Sequence, residues 1–325
     1  MPLLDALSAA IGVPEPSLRL LLSIVAGLPA ALAYRVLLDA PNDPEVRNRR
    51  AWLPAARNAY LVVFGLAVSL FYSGPDIVHS LLCVSGTYLI CGVVGGAFGA
   101  YRLAVALTWA FNMTYLLAGY YFTATEEYTI DWTMPHCVLC LRLLGFAMDY
   151  YDGQQIKGTT PHAHKPGDPD RKNPVELNRR TKYPITFDVD PPLRAPPPFH
   201  EFLGYCYFFG AFLVGPQFSF SLYKKFIHGR HLPRGPAFPS GRFWYTLNRI
   251  VLGITYIAVS QLGGMFFSTA YLSTKAYAAR PFLQKLAIMW ITGKLALNKY
   301  LGVWILNEGN RPGGRWILNY ENYAQ

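Results

Sequence analysis

Long apolar runs, separated by brief charged punctuation, dominate the chain. Residues 58–75 contain no Asp, Glu, Lys or Arg and are bounded by Arg57 and Asp76. Residues 77–101 run uncharged to Arg102, and residues 103–125 run uncharged to Glu126. Residues 202–223 and 250–274 are likewise free of charge. A helix needs about 20 apolar residues to cross the hydrocarbon of a bilayer, and these five runs clear or approach that length. Residues 20–34 form a shorter candidate. Residues 134–148 and 286–307 are candidates interrupted by Arg142, Lys294 and Lys299. The pattern predicts an all-α, polytopic transmembrane helix bundle with about eight membrane-embedded helices.

One of these segments is predicted to be re-entrant. Arg47, Arg49, Arg50 and Arg57 follow the first helix, and the positive-inside rule places that loop in the cytosol. Alternation then puts the turn 73–76 outside, Arg102 inside, the acidic segment 126–131 outside and the basic loop 151–198 inside. The next loop, 224–242, falls outside by alternation, yet it carries Lys224, Lys225, Arg230, Arg234 and Arg242. The conflict disappears if residues 202–223 enter and leave by one face. Gly215-Pro216 supplies the break, because proline removes a backbone donor and obstructs a helix. A re-entrant backbone is tolerated only where protein or a water-filled cavity surrounds it, so a cavity is expected near 215–221.

Composition agrees with a membrane protein. Of 325 residues, 52% are hydrophobic and 15% charged, against about 25% charged in soluble domains. The net charge of +10 sits in the loops, where it meets the cytosol or anionic headgroups, and nucleic acid is not expected as a partner. The N-terminus carries Asp5 and Glu15 and lacks the basic region of a secretory signal, so the first embedded helix is expected to stay attached. All five cysteines lie in apolar runs and do not form an extracellular disulfide framework. The long polar stretch 153–200, dense in proline and charge, reads as an extended linker rather than a domain. Gly92, Gly95, Gly96 and Gly99 have the spacing of a close helix–helix contact.

Candidate chemistry concentrates in Asp131–Gly153. Ionisable groups within hydrocarbon are costly and persist there for a structural or functional reason. His136, Arg142 and Asp149 are such groups, with 142 and 149 two turns apart on one helix face. Arg142 either pairs with Asp149 or Asp152 between helices or forms part of the polar wall of an internal chamber. Lys294 and Lys299, with Asn298, interrupt the last run; lysine either snorkels or makes polar contacts inside the bundle. Cys137-x-x-Cys140 has no second pair and reads as inert buried thiols. His162-x-His164 lacks a third ligand, and no metal site is expected. There is no G-x-S-x-G elbow, Walker loop or HExxH.

Three stretches resemble the membrane-bound O-acyltransferase family. They are DWTMPHCVLCLRLLGFAMDYYDG (131–153), GYCYFFGAFLVGPQFSF (204–220) and GKLALNKYLGVWILNEG (293–309). The first two are most similar to the branch that acylates lysophosphatidylcholine. The resemblance implies a bundle over 1–309 with a polar cytosolic loop at 151–199, and a divergent polar tail at 310–325. It implies transfer of an acyl group from acyl-CoA, as co-substrate and with no bound cofactor, to the free hydroxyl of a lysophospholipid. It implies a multi-pass protein of the endoplasmic reticulum membrane, with lysophospholipid, acyl-CoA and membrane lipids as its partners. His136, Arg142, Asp149 and Gln217 are expected to line the chamber. The family's general-base histidine sits in a Trp-His-Gly setting beyond the third stretch, with an asparagine partner. No Trp-His-Gly occurs among these residues. The catalytic pair is therefore expected beyond Gln325, and these 325 residues alone are expected to be inactive. The rival readings are a polytopic transporter or channel, with Arg142, Asp149 and Lys294 along a substrate path, and a non-catalytic membrane scaffold.

Overall fold

A computed structural model describes residues 2–11, 15–38, 51–123, 131–157, 192–215, 217–229 and 242–309. The centre of the polar linker with His162 and His164, the loop 230–241 and the tail 310–325 lie outside the described residues. Among those described, all regular structure is helical. The helices are α1 (Pro2–Ile11), α2 (Glu15–Leu38), α3 (Leu53–Ser73), α4 (Ile77–Leu89, continued by a π-helical turn Ile90–Ala97), α5 (Tyr101–Thr123) and α6 (Thr133–Lys157). They continue with α7 (Phe199–Cys206), α8 (Phe220–Ile227), α9 (Arg242–Phe266) and α10 (Phe282–Gly309).

Four stretches are long and apolar enough to cross a membrane: Glu15–Leu38, Leu53–Ala97, Tyr101–Thr123 and Leu247–Ser273. The second is two helices in one, because α3 stops at Gly74, where φ is +58°. That value suits glycine and strains other residues. The α6 and α10 helices are as long but carry more charge. Seven of the eight segments expected from the apolar pattern have helical counterparts, in α2 to α6, α9 and α10, while 202–223 is helical only at its ends, in α7 and α8.

Hydrogen bonds fix which ends lie together. Tyr88 Oη, late in α4, donates to Pro197 O at 2.8 Å, just before α7. Asn58, early in α3, donates to His200 O at 3.0 Å. Arg102, early in α5, reaches Tyr151 Oη near the end of α6 at 3.2 Å. At the opposite end, Tyr72 Oη of α3 donates to Asp131 O at 3.3 Å, just before α6. So α3, α4, α5 and α6 run alternately up and down. The starts of α3 and α5 share one end with the finishes of α4 and α6, and the basic loops attach at that end.

The segment from α7 to α8 is re-entrant, as the charge conflict predicts. Its entry is tied by Asn58 to His200 O, and its exit by Arg57 Nη1 to Ile227 O at 3.1 Å. Two adjacent residues in the first turns of α3 thus hold both ends on the same side. Asn58 Oδ1 also accepts from Tyr223 Oη of α8 at 2.6 Å. Between these anchors the chain reaches the middle of the bundle. The Tyr207 carbonyl lies against Gly65, halfway along α3, where a Cβ would sit 1.9 Å from that oxygen. Tyr207 Oη and Ser80 Oγ of α4 are 2.6 Å apart. Aromatic rings fill the space around it: Phe146 against Phe202, Tyr205 against Phe218 and Phe220, and Phe208 against Phe226.

The α9–α10 hairpin is built differently. Its two helices meet through Gly253 and Gly302, each closely facing the other's backbone, and through Ser260 Oγ donating to Leu295 O at 2.7 Å. Val251, Ile254, Leu262, Leu283, Trp290 and Trp304 are exposed on it, a distribution that suits a surface bathed in lipid acyl chains. Of the glycines with helix-contact spacing, Gly95 is closely approached by the Tyr150 ring, with a Cβ 3.0 Å from its Cε1, while Gly92 faces open space.

Two substitutions separate these situations. Gly65→Ala is expected to destabilise the protein by about 2 kcal/mol or more, because the clash is with rigid backbone. Gly92→Ala is expected to change stability by no more than about 0.5 kcal/mol. Thermal unfolding of the detergent-solubilised protein, followed by fluorescence-detected size exclusion, distinguishes the two.

Candidate functional site

The centre of the bundle is organised by Arg142 of α6. It is 1% exposed, the largest side chain buried so completely among the described residues. Nη1 donates to Tyr205 O at 3.1 Å and to Cys206 O at 2.9 Å, and Nη2 donates to Ala211 O at 2.7 Å. Nε donates to Gln217 Oε1 at 3.2 Å. The guanidinium carbon lies 4.9 Å from the centroid of the Phe218 ring and 5.6 Å from that of Tyr205. Tyr205 and Cys206 form the last turn of α7, whose carbonyls have no helical partner. A cation at that end also complements the helix dipole. The same fork then secures Ala211 in the irregular stretch between α7 and α8.

The paired-ion alternative for Arg142 is therefore not what forms. No carboxylate lies within ion-pair distance of it among the described residues; the ion pair found there is Arg19 with Glu15, one turn apart on α2. Asp149 is half-buried, and its carbonyl accepts Leu193 N at 3.1 Å. A planar fork that meets several carbonyls at once is a task for arginine, and lysine has no equivalent geometry.

Gln217 is held between Arg142 and the backbone of α6. Its Oε1 accepts from Arg142, and its Nε2 donates to Val138 O of α6 at 2.5 Å. It is nevertheless exposed, and residues 218, 219, 221 and 222 beside it are partly so. Gly215, at φ +86°, turns the chain into this stretch, a backbone angle that favours glycine. Ser219 then caps α8 by accepting Leu222 N at 3.2 Å.

His136 lies in the first turn of α6, among a different set of neighbours. It is 2% exposed and packs between Tyr115 of α5 and Trp132, and Trp132 stacks on His79 with centroids 4.1 Å apart. His79 Nδ1 and Tyr115 Oη are 2.7 Å apart. Neither ring nitrogen of His136 has a hydrogen-bond partner. The structure thus brings Arg142 and Gln217 together, gives His136 a different set of contacts, and leaves Asp149 further along α6. Of the four candidates, Gln217 is exposed, Asp149 half-buried, and Arg142 and His136 buried. Lys294 and Lys299 are exposed on α10, and Cys140 is buried while Cys137 is partly exposed.

Residues absent from the sequence reading carry much of the geometry. Asn58, Tyr223, Ser80 and Tyr207 anchor the re-entrant segment, and Asn112 joins Thr87 at 2.8 Å between α5 and α4. A side-chain amide or hydroxyl within an apolar run was the available signal for Asn58, Ser80 and Asn112; for the two tyrosines there was none.

Residues 182–311 match the model of the membrane-bound O-acyltransferase family. Over 306 residues, or 94% of this chain, it is 35% identical to lysophospholipid acyltransferase 5 of Rattus norvegicus, covering 55% of that protein. Identity and coverage are the same for the Homo sapiens protein of that name. For the Drosophila melanogaster protein they are 30% over 307 residues, 94% of this chain and 53% of the relative. Over residues 182–311 the chain is similar to the membrane-bound O-acyltransferase family. It spans about half the length of the curated relatives it matches. The family match holds α7, the re-entrant loop, α8, α9 and α10, while Arg142 stands outside it on α6 and reaches in to secure the loop.

Arg142→Met is expected to cost about 3 kcal/mol or more, since it strands buried carbonyls, and Arg142→Lys is expected to recover little of that loss. Thermal unfolding in detergent checks both. His136→Phe keeps the aromatic contacts and removes two unmet polar atoms, so the same measurement is expected to show unchanged or increased stability.

Proposed function

We propose that the protein is a lysophospholipid acyltransferase of the endoplasmic reticulum membrane. In the reaction, the free hydroxyl of lysophosphatidylcholine attacks the thioester carbonyl of an acyl-CoA. The carbonyl becomes tetrahedral, the C–S bond breaks, and the hydroxyl proton is taken up as CoA leaves. The observation that carries this reading is the 35% identity over 94% of the chain to proteins named lysophospholipid acyltransferase 5.

The residues of 1–309 supply walls and positioning for this chemistry. The re-entrant segment presents Gln217 at the depth of Arg142, and the guanidinium keeps its amide and backbone in one arrangement. We place the general base and the thioester-polarising asparagine elsewhere than on this bundle. His136 is enclosed by the rings of Tyr115 and Trp132, and neither of its ring nitrogens has a hydrogen-bond partner. A transport path through Arg142 has little support, because its N–H groups are committed to the loop and it is buried.

Two assays test the reading. Replacing the corresponding region of the Homo sapiens relative by residues 1–309 is expected to preserve acylation of lysophosphatidylcholine from labelled arachidonoyl-CoA in membranes. A well-folded chimera that binds neither substrate would sink the proposal. Residues 1–325 expressed alone are expected to give no turnover. Turnover abolished by His136→Ala would instead place the base on this bundle.

A further inference from the structure

We propose that the exposed amide of Gln217, backed by the buried Arg142 guanidinium, recognises a phosphate group of a substrate. The inference rests on the acyltransferase reading above, in which both substrates carry phosphate.

The starting point is a charge without a counter-charge. All four acceptors of Arg142 are neutral oxygens: three backbone carbonyls and the Gln217 amide. Among the described residues no carboxylate lies within ion-pair distance of it. Burying a cation in this way is costly, and structures normally compensate such a charge. The carbonyl dipoles orient toward Arg142 but leave the net positive charge in place.

The position of Gln217 determines where that charge is felt. Tyr205, Cys206 and Ala211 are buried, so Gln217 is the one acceptor of Arg142 that reaches the open surface. Its orientation is fixed by two opposed bonds, with Oε1 toward the Arg142 donor and Nε2 toward Val138 O. A side-chain amide has two N–H donors, and one remains for a ligand. A hydrogen bond received from a cation polarises the amide and strengthens that donor. The outward face therefore combines an oriented N–H with a nearby positive charge in a low-dielectric wall. This pairing selects an anionic acceptor over a neutral one. Gln217 also meets α6 at Val138, in the half of that helix remote from the basic loops, so the phosphate is bound away from the charged rim.

The test is equilibrium binding to the full chain in lipid nanodiscs, with three probes: lysophosphatidylcholine, a monoacylglycerol of the same acyl chain, and coenzyme A. Gln217→Met keeps the side-chain length and removes the donor. Gln217→Glu neutralises Arg142 and repels an anion. The thermal stability of each variant is recorded alongside, so a folding defect is recognised, and either folded variant suffices. The expected result is a loss of about tenfold or more in affinity for a phosphate-bearing probe, larger for the glutamate variant, with monoacylglycerol affinity unchanged. Loss confined to lysophosphatidylcholine assigns the site to the lipid phosphodiester; loss confined to coenzyme A assigns it to the nucleotide's phosphates. Equal loss for all three probes, or no loss for either phosphate-bearing probe, overturns the site and leaves the acyltransferase reading standing. A wild-type chain that binds none of the three overturns both.

Discussion

Non-helical backbone inside a membrane bundle must find its hydrogen-bond partners within the protein, because the surrounding hydrocarbon offers none. Here one guanidinium meets much of that demand. It finishes α7, holds the turn beyond it and steadies the first polar side chain after Gly215. The rest of the arrangement follows from that requirement. Gly65 leaves room for the Tyr207 carbonyl, Arg57 and Asn58 fasten the two ends, and aromatic rings exclude solvent around the fork.

The bundle therefore has two kinds of polar contact. At the loop-bearing end, side chains such as Arg57 bind backbone where the re-entrant segment begins and ends. In the interior, Arg142 binds backbone where helix gives way to turn. Both use arginine as a multiple donor to carbonyls rather than as half of an ion pair. The arrangement avoids burying a carboxylate, whose desolvation is also costly. It also leaves the Arg142 guanidinium without a counter-charge among the described residues.

Much of this was legible in the sequence, for physical reasons. Apolar runs of membrane length identify embedded helices because the bilayer sets that length. The re-entrant segment was legible because two independent signals agreed: the misplaced basic loop after it and Gly215-Pro216 within it. The importance of Arg142 was legible from its cost. Its partners were not, because a carbonyl is the same group in every residue and leaves no mark in the sequence. The ion-pair alternative with Asp149 or Asp152 came from spacing along one helix, whereas the actual acceptors belong to a different part of the chain. Tyr223 and Tyr207 were equally hidden, among 22 tyrosines of which most could serve as packing.

The reach of Arg142 also has a temporal side. Its carbonyl partners lie 63, 64 and 69 residues further along the chain. During synthesis, α6 is made before any of them. An arginine near the centre of a lone helix costs about 2.5–3.5 kcal/mol at insertion, so α6 begins as a reluctant membrane helix. It settles only when the re-entrant segment folds back onto it. The completion of this bundle is thus coupled to the arrival of α7, and the helix that holds the loop is itself held in the membrane by that loop.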